Sequence, residues 1–95
     1  MELEWDEVKR LRTLEERGLD FADVMPFQFE TAVTRPDLRE DYGEKRFNSM
    51  GYLDGALCNL CWPVRGPQFR IISLRKCNES ERKPYEKASG AADAR

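Results

Sequence analysis

Asp54-Gly55 lies between two runs rich in strand-forming residues, Glu44–Tyr52 and Ala56–Trp62, and this dipeptide constrains the fold more than any other feature. Both turn positions tolerate a positive φ, so the pair closes a two-residue hairpin whose twist matches that of its strands. An antiparallel sheet is therefore expected in the middle of the chain.

The flanks fill in around that hairpin. Asp6–Arg17 reads as a first helix, with Asp6 as N-cap, Gly18 as terminator and Val8, Leu11 and Leu14 forming a narrow apolar stripe. Trp5 is placed to staple the helix entry. A second short helix is expected from Asp20, stopping near Pro26. Phe29–Thr34 favours strand and ends in the turn signal Arg35-Pro36-Asp37, followed by a polar loop over Leu38–Gly43. After a turn at Pro63–Pro67, the run Phe69–Cys77 suggests a central strand covered on both faces. Asn78-Glu79-Ser80-Glu81 resembles a capping box that opens a last helix, with Pro84 as an alternative first position. The expected fold class is α+β: two N-terminal helices, an antiparallel sheet of about four strands and a C-terminal helix. Residues 1–88 are expected to form a single domain, with 89–95 a frayed tail.

Ninety-five residues allow one small core and leave no room for a separate cofactor domain. No apolar run approaches the roughly 20 residues of a membrane helix. The acidic start Glu2-Leu3-Glu4-Trp5-Asp6 lacks the basic region of a secretory signal. Three cysteines make no disulfide framework, and the expected compartment is the reducing cytoplasm. Net charge is −2, but unevenly spread: residues 1–45 carry 7 basic and 13 acidic side chains, residues 46–95 carry 9 and 5. A basic face is thus compatible with a weakly acidic protein, and that face is what phosphates would meet.

The absence of histidine excludes histidine-dependent triads and histidine metal sites. Cys58 and Cys61 have the spacing of a metal-binding pair, but no second pair completes a zinc site. They read as small core thiols. Neither a metal nor another cofactor is expected.

Several segments occur together in order: Glu4-Trp5-Asp6 with Lys9; Leu14, then Arg17-Gly18-Leu19-Asp20-Phe21; Tyr42-Gly43-Glu44-Lys45-Arg46 with Gly51; Arg65-Gly66; Arg70-Ile71-Ile72-Ser73-Leu74-Arg75-Lys76; and Glu81-Arg82 with Tyr85. Across residues 2 to about 87 the chain resembles the BrnT family of ribonuclease toxins, the Arg-Ile-Ile-Ser-x-Arg-Lys run being the most specific piece. The resemblance implies a fold similar to RelE-type toxins, metal-independent RNA cleavage and inhibition of translation. It also implies a cognate BrnA-like antitoxin with a ribbon-helix-helix part, through which operator DNA is reached indirectly. Two departures stand out. Arg17 occupies a position where the family usually has histidine, and Trp62-Pro63 replace a usual Tyr-Thr pair.

Cleaving RNA without metal requires deprotonating the 2′-hydroxyl, stabilising the phosphorane and protonating the 5′-oxygen. Arginine suits the second task, because its planar fork matches phosphate oxygens and stays charged. Arg46, Arg70 and Arg75 are therefore the candidate charge stabilisers, while Glu44 and Tyr85, with Tyr42 and Lys76, are candidates for base or acid. Lys76, Arg65, Tyr42 and Arg82 are the expected RNA-binding residues. In a continuous strand Arg70 and Lys76 share one face, and Arg75 lies on the other beside Ser73. The alternative is a binding module of the same fold with catalysis lost. No basic recognition-helix pattern supports a DNA-binding regulator acting alone.

Overall fold

The Asp6 carboxylate accepts hydrogen bonds from the backbone N–H of Val8 at 2.9 Å and Lys9 at 3.3 Å, and so starts helix α1, Glu7–Arg17. At the other end Gly18 takes the left-handed φ of 69° and donates its N–H to the Leu14 carbonyl at 3.0 Å. In the computed structural model, which describes residues 2–64 and 66–89, β1 (Leu3–Trp5) precedes this helix. Strands β2 (Val33–Pro36), β3 (Arg46–Leu53), β4 (Ala56–Pro63), β5 (Phe69–Ile71) and β6 (Ser73–Lys76) follow it, then helix α2 (Glu79–Ser89). Residues 90–95, most of the expected tail, lie outside the described residues. Among the described residues no helix is long and apolar enough to cross a membrane.

The hairpin forms as expected. Asp54 and Gly55 have φ of 49° and 81°, and β3 and β4 pair antiparallel from Leu53↔Ala56 to Arg46↔Pro63. The main sheet has the order β2-β3-β4-β6, with every neighbouring pair antiparallel. The α+β class stands, with three corrections. The segment after Asp20 is a single 3₁₀ turn, Phe21–Asp23, so the described residues hold two α-helices and not three. With Pro26 five residues from its start, the segment is too short to propagate a helix. Phe69–Cys77 is not one central strand. It breaks at Ile72, whose N–H turns to the Cys61 carbonyl at 2.8 Å. Strand β5 pairs parallel with β1, while β6 forms an edge of the main sheet. Phe29–Thr34 starts as a 3₁₀ turn, Phe29–Thr31, and becomes strand only from Val33.

The core fills the sheet face turned to the N-terminal segments, where Phe21, Val24 and Phe27 meet Leu53, Cys58, Leu60 and Leu74, with Ile71 from β5. Trp5 and Trp62 pack partly buried against it. On this face Ser49 is fully buried; it meets the Thr34 hydroxyl at 2.7 Å and accepts from the Trp62 indole N–H at 2.8 Å. Asn78 and Glu81 complete the expected capping box: Asn78 Oδ1 accepts from the Glu81 N–H, and Glu81 Oε1 from the Asn78 N–H. Helix α2 therefore starts at Glu79 and runs through Pro84.

Helix α1 is inverted relative to its sequence pattern. Val8, Leu11 and Leu14 are 65%, 51% and 39% exposed, while Thr13 is buried. Arg10, on the inward side, forks onto the Asp20 carboxylate at 3.1 Å and also grips Glu7 at 2.7 Å. Helix α1 is short and docks on the sheet edge β6, so polar partners there outcompete the apolar stripe for the buried side.

Gly51 marks a close crossing. A Cβ there would lie 3.0 Å from both Ala32 Cβ and Phe27 Cζ and 3.2 Å from the Gln28 carbonyl oxygen. Gly51→Ala is expected to destabilise by about 1–3 kcal/mol through overpacking. A lowered urea midpoint at unchanged m-value would register it.

Candidate functional site

The strand ladders assign the faces. Arg35 lies opposite Asn48, Asn48 opposite Cys61, and Cys61 opposite Ser73, while Asn59 lies opposite Arg75. Directly opposed residues share a face, as do residues two apart. Arg35, Asn48, Asn59, Ser73 and Arg75 therefore rise from the sheet side away from the core. Helix α2 packs over the hairpin end of this side, where the Tyr85 ring meets Tyr52 edge to face at 5.7 Å between centroids.

Beyond α2 the same face opens into a basin of about 460 Å³. Arg17 reaches it from the last turn of α1, Arg35 from β2, Arg39 from the loop after β2, and Arg75 from β6. Arg17 is anchored by a 2.9 Å hydrogen bond from Nη1 to the Leu74 carbonyl on the edge strand. Arg75 is held as a fork by the Glu81 carboxylate at 2.8 and 2.9 Å. That pairing, with the Asn78 N–H, pulls the Glu81 carboxyl down to about 2. Arg39 clasps Asp37, with Nε at 2.9 Å and Nη2 at 2.7 Å. Among the described residues, Arg17 and Arg35 have no carboxylate partner.

Asp37 organises the basin wall. Its side chain is 1% exposed and its carboxyl sits well below the usual carboxylate range. The Arg39 guanidinium is the main cause; burial opposes it, and the Arg39 backbone N–H and the Asn48 amide add to it. Asn59 Nδ2 in turn donates to Asn48 Oδ1 at 2.9 Å. A carboxyl held low in the folded state contributes stability above its unfolded value near 4, and loses that contribution as pH falls. Asp37 and Glu81 both follow this sign. The urea midpoint should therefore fall steadily as pH drops from about 5 toward 2, and fall less steeply in Asp37→Asn.

The residues named from sequence divide among separate places. Arg75 lines the basin. Tyr42 and Glu44, in the loop before β3, gather beside it with Arg46, the first residue of β3: Arg46 pairs with Glu44 at 3.1 Å and lies 4.1 Å over the Tyr42 ring. The Tyr42 hydroxyl donates to Asp37 at 3.3 Å, and desolvation pushes its pKa up, which disfavours a role as base. Arg70 is on β5, beside Glu4 of β1 at 3.2 Å, and not on the strand that carries Arg75. Lys76 lines a different cleft with Asp20, Asp23 and Asp54. Arg82 is on α2, 3.7 Å from Glu79. Tyr85 is 2% exposed, and its hydroxyl donates to the Thr31 carbonyl at 3.0 Å. Arg65 lies outside the described residues.

Sequence reasoning missed Arg17, Arg35, Arg39, Asn48 and Asn59 as members of one site. For Arg17 a signal existed, because it stands where the family usually has histidine. Nothing marked the others, since their convergence is a product of the sheet alone. Among the described residues, no three cysteine, aspartate or glutamate side chains converge to hold a metal ion.

A face that presents four guanidinium groups to one open basin is chemistry for binding phosphodiester oxygens. Comparison with curated protein sequences gives no match. Residues 5–81, which carry α1, the whole four-stranded sheet and all four basin arginines, match the model of a family described as ribonuclease toxin, BrnT, of type II toxin–antitoxin system, and the chain belongs to that family.

Proposed function

We propose that this ribonuclease toxin cleaves RNA in the arginine basin by a metal-independent transesterification, and so inhibits translation in the cytoplasm. The observation that carries the reading is the convergence of Arg17, Arg35, Arg39 and Arg75 from four separate segments, two of them without a carboxylate partner among the described residues. Those cations supply the charge neutralisation that a metal supplies elsewhere.

In the reaction the 2′-oxygen of the substrate attacks the adjacent phosphorus, and the bond from phosphorus to the 5′-oxygen breaks. Arg17 and Arg75 take the non-bridging oxygens as negative charge grows on them. Ser73, on the floor beside Arg75, orients the 2′-hydroxyl. Glu81 binds protons too weakly to act as a base near neutrality. The 2′-proton therefore leaves to solvent hydroxide, and water protonates the 5′-oxygen.

A type II toxin has a cognate antitoxin. We assign that partner a ribbon-helix-helix DNA-binding part, with operator DNA reached only through it. The basin arginines and Arg46 beside them are the surface it covers, through an acidic amphipathic segment.

RNA cleavage by the purified toxin should persist undiminished in excess EDTA. Loss of activity on chelation, with recovery on adding Mg²⁺, would overturn the metal-independent mechanism. Arg75 and Arg39 are each engaged by a carboxylate, which favours a second reading: a basin that binds RNA without cutting it. The same assay separates the two, because that reading requires RNA to be retained intact.

A further inference from the structure

We propose that the groove between α2 and the sheet, which opens off the arginine basin, is a subsite for one nucleobase, read by the side-chain amide of Asn59. The inference rests on the RNA-cleavage reading and says where the base beside the bound phosphate goes. The groove has a volume of about 220 Å³, below the ~300 Å³ at which pockets for drug-sized ligands begin, so it admits one planar ring system. Val33, Met50, Pro84, Tyr85 and Ala88 give it apolar walls suited to the faces of a base. Arg35, Asn48 and Asn59 line both groove and basin, so a nucleotide can rest its phosphate on the cations and its base in the groove. Glu81, also on the groove, is neutralised by the Arg75 fork.

The polar groups form a chain with one direction. Asp37 is ionised and only accepts, so the Asn48 amide turns its NH₂ toward Asp37 and its oxygen toward Asn59. Asn59 must then aim its own NH₂ at Asn48, at 2.9 Å. Its oxygen is left to accept and its second N–H to donate, in an order that cannot flip without breaking the chain. Adenine and cytosine carry an exocyclic amino donor where guanine and uracil carry a keto acceptor. An amide locked in one orientation separates those two classes, independent of ring size. Phosphate contacts position the strand, and this contact gives it sequence preference.

The test uses the full chain and 2′-O-methyl tetranucleotides, one for each base, which bind but cannot be cleaved. Affinities should divide adenine and cytosine from guanine and uracil by about tenfold, the scale of one base-edge contact. Asn59→Leu should bring all of them within about twofold while binding stays salt-dependent. In the wild type, the preferred oligonucleotides should shift the NMR resonances of the Asn59 side-chain amide, a readout that needs no variant. Equal affinities, a division by ring size, or a preference that survives in folded Asn59→Leu would overturn the subsite. Should that happen while Arg35→Ala still weakens binding, the basin reading survives without it. No binding by any tetranucleotide would remove both.

Discussion

Replacing Arg17 and Arg75 together by alanine should lower RNA cleavage by about 10³-fold, the loss typical when preorganised donors to a developing oxyanion are removed. Both groups are assigned to one phosphorane, so the two single variants should each lose nearly as much as the pair. Folding should survive. Helix α1 keeps its Asp6 cap and the Arg10 fork onto Asp20, and Glu81 keeps its bond from the Asn78 N–H. Arg75→Lys should fall between wild type and alanine, since it keeps the charge without the fork. Arg70→Ala is the matched control: it removes a cation from the same sequence run but from another strand, where it serves a part-exposed pair with Glu4. Such pairs contribute under ~1 kcal/mol, so cleavage should barely change. A folded double variant that cleaves like wild type would remove the basin from the mechanism.

The second large effect concerns pH. None of the groups assigned to the reaction exchanges a proton near neutrality, because guanidinium groups stay charged and Glu81 is held at about 2. With solvent hydroxide as the base, the rate should rise about tenfold per pH unit from about pH 6 to 9, and without a maximum. Single-turnover cleavage across that range measures it directly. A bell-shaped profile with an optimum near neutrality would show that a protein base and acid operate, and the Tyr42–Glu44–Arg46 cluster beside the basin would be the place to seek them.

Local chemistry made much of the fold legible. Asp6 and Gly18 bound α1, Asp54-Gly55 builds the hairpin, and Asn78 with Glu81 opens α2, each through contacts within a few residues in sequence. What stayed hidden depends on distant pairing. Strand β1 exists because Leu3, Glu4 and Trp5 pair with Phe69, Arg70 and Ile71, and that pairing also separates Arg70 from Arg75. The site was half visible for the same reason. Arg75 stood out within a basic run, whereas Arg35 read as part of a turn and Asn59 as one residue of a strand. Only the ladder that sets Asn59 opposite Arg75 brings that asparagine to the basin.

The inverted packing of α1 bears on how the site responds to heat. Burial of apolar surface is what usually fastens a helix to its domain, and α1 leaves about half of its own in water. It is held instead by the Arg10 fork onto Asp20 and one hydrogen bond from Arg17 to the edge strand, directional contacts that are each worth only about 1–2 kcal/mol. The helix is consequently a unit that can open on its own, well below the free energy that unfolds β3 and β4. Arg17 travels with it, so in the proposed basin the number of cations available to a phosphate should change with temperature. On warming, RNA cleavage should fade while the sheet is still intact, and slow-exchanging amides should survive in β4 after those of α1 have been lost.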